Sequence, residues 1–108
     1  MATVQNITID QGTTYSLTIT LTNDDGTAKD LSSYTVSAQM RKSYYTSTYT
    51  AFTTAKVDLT GELTISLTAA QTSDIKAGRY VYDIEIASSS ETLRILEGIV
   101  TVTPEVTK

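Results

Sequence analysis

The chain contains no histidine, no cysteine and no tryptophan, and a single proline. Each absence removes a class of chemistry. Without histidine no side chain has an unperturbed pKa near neutrality, so a serine or cysteine nucleophile lacks its ordinary relay base. Without histidine and cysteine, zinc, copper, haem and iron–sulfur centres lose their usual ligands. Paired carboxylates still suffice for glycoside hydrolysis, but the 12 acidic residues form no marked cluster along the chain. The expectation is a non-catalytic domain with no cofactor and no metal. Lack of cysteine also excludes a disulfide framework. A length of 108 residues can do without one, because a single domain of that size buries about two-thirds of its unfolded surface.

Positive charge is also scarce, with 8 basic residues against 12 acidic ones and a net charge of −4. Nucleic-acid binding needs a basic stripe to displace phosphate counterions, and none is visible. No apolar run approaches the length that spans a membrane. The opening Met1-Ala2-Thr3-Val4-Gln5-Asn6 has neither the charged nor the apolar region of a secretion signal. The reading is therefore no nucleic-acid partner, no membrane, and assembly in a cytoplasm.

What is abundant is threonine, with 22 residues, beside 7 tyrosines. β-Branched and aromatic side chains fit a pleated, half-buried surface. The pattern agrees with the composition. From Thr14 to Thr22, Tyr15, Leu17, Ile19 and Leu21 share one parity, and Ser16, Thr18, Thr20 and Thr22 the other. Such alternation marks a strand with one face in the core and one in water. Asn23-Asp24-Asp25-Gly26 then supplies turn chemistry. Similar alternation predicts strands over Val4–Ile9, Thr35–Arg41, Leu63–Leu67, Arg79–Ala87 and Thr92–Thr103, with weaker ones near Thr46–Thr54 and Lys56–Leu59. Thr68 and Gln71 have capping-box spacing, which predicts a short helical turn near 69–75 crossing between sheets. Seven or eight strands in one domain, residues 1–108, read as an all-β antiparallel sandwich.

The last strand breaks the alternation. Leu96, Val100 and Val102 lie on one parity, and Leu93, Ile95 and Ile99 on the other. Either a bulge at Glu97-Gly98 flips the register, or one face is covered by another subunit.

Two resemblances refine the reading. Gly78-Arg79-Tyr80-Val81-Tyr82 resembles the approach to the sixth strand of immunoglobulin domains, where a "tyrosine corner" is followed two residues later by a cysteine. Tyr80 matches the corner tyrosine and Tyr82 stands in the place of the cysteine, which implies an immunoglobulin-like sandwich. The second resemblance covers most of the chain. Asp10-Gln11-Gly12, Asp30-Leu31-Ser32-Ser33-Tyr34, Gln39-Met40-Arg41-Lys42, Leu67 to Thr72, Ala77 to Ile84 and Leu96 to Thr107 are similar, in order and spacing, to small accessory virion proteins of tailed bacteriophages. Some of these resemble the N-terminal domain of baseplate upper proteins; others resemble capsid decoration (cement) proteins. The resemblance implies a virion structural protein, partnered by the major capsid protein or tail proteins and forming homo-oligomers on the particle. Baseplate proteins continue into fibre segments after such a domain, so a chain ending at Lys108 is expected on a capsid lattice ahead of a tail or baseplate. A carbohydrate- or host-surface-binding module is the alternative, set against the absence of a tryptophan platform.

Candidate contact residues follow. Tyr44, Tyr45, Tyr49 and Phe52 concentrate aromatic side chains, which are enriched at interfaces; the competing reading is a hairpin whose aromatics cover the sandwich edge. Arg41 and Lys42 are candidates for an acidic patch on a partner. Leu93, Ile95 and Ile99 are candidates if the last strand is covered. Arg79, Asp83, Glu85 and Arg94 read as a solvated charge lattice. Asn23 to Gly26 with Asp30 is weighed as a calcium loop, but lacks EF-hand spacing and suits a turn. The N-terminal strand and the tail after Pro104 carry little charge, so they suit either exchange of arms between subunits or ordinary frayed edges.

Overall fold

The computed structural model describes residues 3–23, 25–43 and 45–106. In chain order its elements are β1 (Thr3–Val4), β2 (Ile7–Asp10), β3 (Tyr15–Thr20), β4 (Thr35–Arg41), β5 (Thr50–Ala51), β6 (Thr53–Val57), β7 (Glu62–Leu67), α1 (Ala69–Ser73), β8 (Gly78–Ala87) and β9 (Thr92–Thr103). One sheet has the order β1-β9-β8-β4-β5, with β2 continuing beside β9, and the other is β3-β7-β6. Two sheets divided in this way form an immunoglobulin-like sandwich. Counting β1 and β2 as one interrupted strand gives eight, within the expected range.

The alternation works as read. Leu63, Ile65 and Leu67 of β7, Ile84 and Ile86 of β8, and Val100 and Val102 of β9 are all buried, together with Ile9, Leu31 and Met40. Burying one such side chain is worth about 1.5–3 kcal/mol, so this shared core, not surface charge, holds the sheets together. The chain changes sheet at Phe52. Thr50–Ala51 pairs with β4, Thr53–Val57 pairs with β7, and the Phe52 ring turns into the core between them. Its N–H donates to the Ala38 carbonyl (3.0 Å), which satisfies the backbone at the crossing.

Two expectations are corrected. The sandwich is not antiparallel throughout, because β1 and β2 run parallel to β9 with Ile7 opposite Val100 and Ile9 opposite Val102. First and last strands head toward the same end, and the parallel pairing brings Ile7 and Ile9 into the core. The second correction concerns the doubly apolar strand. A bulge does flip its register, but at Ile95: Glu85 pairs with Arg94 and Ile84 with Leu96, which leaves Ile95 as the extra residue. Leu93 therefore lies on the core-facing side before the bulge, opposite Ile86, and Leu96, Val100 and Val102 face the core after it.

Gly98 has a different purpose. It is opposite Tyr82, and the chain at Gln5–Asn6, between β1 and β2, presses against it. An added Cβ would collide with the Gln5 carbonyl oxygen. The Tyr82 hydroxyl donates to that same carbonyl (2.6 Å), and its ring meets Phe52 edge-on, centroids 6.4 Å apart. Tyr82 thus ties the link between β1 and β2 to the core through its hydroxyl and its buried ring.

The helical turn is built as its spacing implies. The Gln71 N–H donates to Thr68 Oγ1 (3.2 Å) and the Thr68 N–H donates to Gln71 Oε1 (2.8 Å), a complete capping box. α1 carries the chain from β7 in one sheet to β8 in the other. Thr72 pins it there: its buried hydroxyl donates to the Thr13 carbonyl (2.8 Å) and accepts from the Gly12 N–H (3.0 Å). Among the described residues no helix is long and apolar enough to cross a membrane.

Candidate functional site

The β4–β5 connection, the β7–β8 connection and the start of β8 lie together at one end of the sandwich. They surround a concavity of about 370 Å³ lined by Met40, Arg41, Lys42, Tyr49, Asp74 and Lys76, among others. β4 delivers Arg41 to this end and β8 delivers Tyr80, whose hydroxyl donates to the Lys76 carbonyl (2.7 Å). That bond, from a tyrosine to a carbonyl four residues upstream, is the tyrosine corner expected from the sequence.

Arg41 organises the connection. Its guanidinium donates to the carbonyls of Thr46 (2.7 Å) and Ser47 (3.1 Å) and to Gln39 Oε1 (3.1 Å). It also sits 4.9 Å from the centroid of the Tyr49 ring. A planar fork that caps two loop carbonyls and stacks on an aromatic face is a role lysine cannot reproduce. The Thr46 N–H donates to the Ser43 carbonyl (3.2 Å), closing a turn, and the Ser43 and Thr46 hydroxyls are 2.9 Å apart. Lys42 reaches the other way, its ammonium 4.9 Å from the Tyr80 ring centroid. A phenol is un-ionised at neutral pH, so the ring meets the ammonium in its neutral form; burial pushes the Tyr80 phenol further up. Exposed cation–π contacts of this kind are worth about 0.5–1 kcal/mol each.

The structure separates the aromatic residues that the sequence grouped. Phe52 is only 5% exposed and belongs to the core, which corrects its assignment to an interface. Tyr45 is 98% exposed and Tyr49 51%, so both rings face solvent. Tyr44 lies outside the described residues. Arg41 spends three of its five N–H donors within the chain, on Thr46, Ser47 and Gln39, and is half-buried at the rim of the site. Lys42 keeps its ammonium at the surface. Tyr80 and Lys76 join the site although the sequence reading marked Tyr80 only for the fold and Lys76 not at all. Their signal was the tyrosine corner itself, which fixes where the β7–β8 connection returns to the sheet.

The other candidates fall elsewhere. Ile95 is half-buried against the core, Leu93 is partly exposed at the start of β9, and Ile99 lies 40% exposed opposite Val81 on the outer face. That outer face holds a shallow depression of about 360 Å³ lined by Arg41, Asp83, Glu85, Arg94 and Glu97. Arg94 Nε lies 3.3 Å from Asp83 and 3.9 Å from Glu85, with all three solvated, as the charge-lattice reading holds. Its charges largely cancel. In the Asn23–Gly26 region, Asp25 accepts from the N–H (3.0 Å) and hydroxyl (2.6 Å) of Thr27. Those bonds hold its carboxyl below the usual carboxylate range. Asp30 likewise accepts from the Ser32 N–H (2.9 Å). Both carboxylates serve turns.

No family model and no curated protein matches the chain. Solved structures do. The crystal structure of Listeria monocytogenes InlP superposes with a TM-score of 0.52 at 15% identity, over 94% of this chain and 28% of that one. The N-terminal four Ig domains of Dscam1 isoform 7.44 superpose at 0.48 and 16% identity, over 95% of this chain and 23% of that one. The chain thus spans about a quarter of the length of each, and the likeness to InlP is one of fold.

Proposed function

We propose that the chain is a non-enzymatic binding and structural module whose contact surface is the Arg41-braced end carrying Tyr45 and Tyr49. The observation that supports this is a pair of solvent-facing tyrosines on a connection whose carbonyls are capped from within the domain. Tyrosine offers large contact area at low entropic cost, and a braced loop loses less freedom on binding than a loose one. Lys42 and Lys76 give this end local positive charge on a chain of net −4.

The finer reading is an accessory structural protein of a tailed-phage particle, a decoration protein on the assembled capsid. It rests on the blocks from Asp10 to Thr107 that resemble such proteins. Its physical logic is multivalency, in which many weak contacts across a lattice raise avidity and stabilise the shell because only the assembled form is bound. The test offers the purified chain to mature capsids, to isolated tails and to a glycan array. Saturable binding to capsids alone supports decoration. Binding to tails alone moves the role to the baseplate, and glycan binding alone replaces both with surface recognition.

A further inference from the structure

Three of the four sheet edges are guarded. The β1–β2 edge is interrupted at Gln5–Asn6 and ends in Asp10. β5 is two residues long and, with Phe52, covers β4 from Ala38 to Met40. On β6, Lys56 pairs with the buried Leu63, and its ammonium donates to the Leu31 carbonyl (3.0 Å) and pairs with Asp58. A charge turned inward on an edge strand, a short edge and an interrupted one are the usual devices that stop strands from pairing with other chains.

β3 has none of them. It is six residues of unbroken pairing with β7, without charge and without proline. In many immunoglobulin-like sandwiches the first strand covers this edge, but here β1 and β2 pair with β9 instead. Leu21, continuing β3, donates its N–H to the Gly61 carbonyl in the same register as the β3–β7 pairs. Backbone groups alternate along a strand, so the odd residues bond to β7, and Ser16, Thr18 and Thr20 present theirs to the open edge. The side chains of Tyr15, Leu17 and Ile19 face the core yet stay only half-buried.

We propose that this edge pairs with the β3 of a second copy of the chain, antiparallel about a two-fold axis through Leu17. In that register Leu17 faces Leu17, Tyr15 faces Ile19 and Ser16 faces Thr18, so the apolar stripes coincide on the core side and the hydroxyl stripes on the outer side. The strand is self-complementary, as a two-fold interface requires. Copies of net charge −4 repel at long range, but this strand brings no like charges into contact. The pairing joins two three-stranded sheets into one of six. Six residues span only about 20 Å of edge, and a single strand pair contributes little else to the interface. The dimer is accordingly weak in free solution and gains from a second shared attachment. This inference rests on the fold alone, so it stands apart from the identity of the partner proposed above.

Sedimentation of the purified chain from micromolar to about 1 mM tests it, a range set by the affinity of weak complexes. The expected result is a reversible monomer–dimer equilibrium, with slowed amide exchange at Ser16, Thr18 and Thr20 as concentration rises. Thr18→Pro removes an N–H that points to the open edge, where proline is tolerated. It is expected to weaken dimerisation at least about tenfold with the fold retained. The pair Ser16→Lys with Thr18→Lys sets like charges opposite one another and gives the same readout if the proline variant does not fold. A chain that stays monomeric up to about 1 mM overturns the proposal. So does a dimer that neither variant weakens, or one whose protected amides lie outside β3.

Discussion

At the scale of single residues, Gly98 and Tyr82 carry the most specific expectations. An alanine at position 98 must displace the Gln5 backbone, and overpacking of this kind costs about 1–3 kcal/mol. Urea denaturation of Gly98→Ala is expected to show that loss with an unchanged slope. Tyr82 makes stability depend on alkaline pH. Burial, with a smaller contribution from Tyr15, pushes its phenol from 10.0 up to about 12. Burial also raises Tyr15 and Tyr80. A raised acid keeps its proton in the folded chain after the unfolded chain has lost it. The associated stability is therefore full below pH 10 and is lost as pH climbs toward 12. The melting temperature is expected to hold level to about pH 9 and then fall. Tyr82→Phe should lower it modestly at neutral pH, through the lost bond to Gln5, and make the alkaline fall shallower. A fall of unchanged steepness in Tyr82→Phe would assign the pH dependence to other groups.

At the scale of elements, α1 is anchored to the loop after β2 by a single side chain. Thr72→Val keeps the shape of the residue but leaves the Gly12 N–H and Thr13 carbonyl without their partner. The two groups are only partly buried, so the loss falls toward the low end of the roughly 1–3 kcal/mol of a fully buried one, and the valine variant should be less stable than Thr72→Ser, which keeps the hydroxyl. Paired thermal melts decide this. The strands themselves were legible in the sequence wherever one face is wet: β3, β4, β7 and β8 follow the period of two, and β9 matches the expected bounds Thr92–Thr103. The capping box was legible because it is local, spanning Thr68 to Gln71. What escaped depends on residues far apart in the chain. The parallel partner of β2 is a property of β9, more than 90 residues away. Gly98 suggested a bulge, but its reason is the approach of Gln5, and the true bulge at Ile95 has no local mark. Phe52 reads as one more aromatic in a Tyr-rich segment until the change of sheet turns it inward.

At the scale of the whole molecule, the end carrying the β4–β5 connection stands apart from the open β3 edge and from the outer face in its chemistry. The sandwich is closed by an apolar core, the charges on its outer face largely cancel, and the carboxylates of Asp25 and Asp30 are used by turns. The end carrying the β4–β5 connection differs from these: it has exposed aromatic rings, surface ammonium groups and a backbone braced by Arg41. The sequence pointed to this segment through its aromatic density, but could not divide the aromatics between core and surface. That division gives the central claim its test. The double variant Tyr45→Ala with Tyr49→Ala removes two exposed rings and leaves the core intact. Its melting temperature should be measured beside that of the parent chain, as should its binding to whichever target the capsid, tail and glycan test identifies. The expected result is a melting temperature lowered by no more than about 5 °C, since only the Arg41–Tyr49 contact of about 0.5–1 kcal/mol is lost, together with loss of binding. Full binding at unchanged stability would contradict the account, as would a large loss of stability, which would mean that these rings serve the fold.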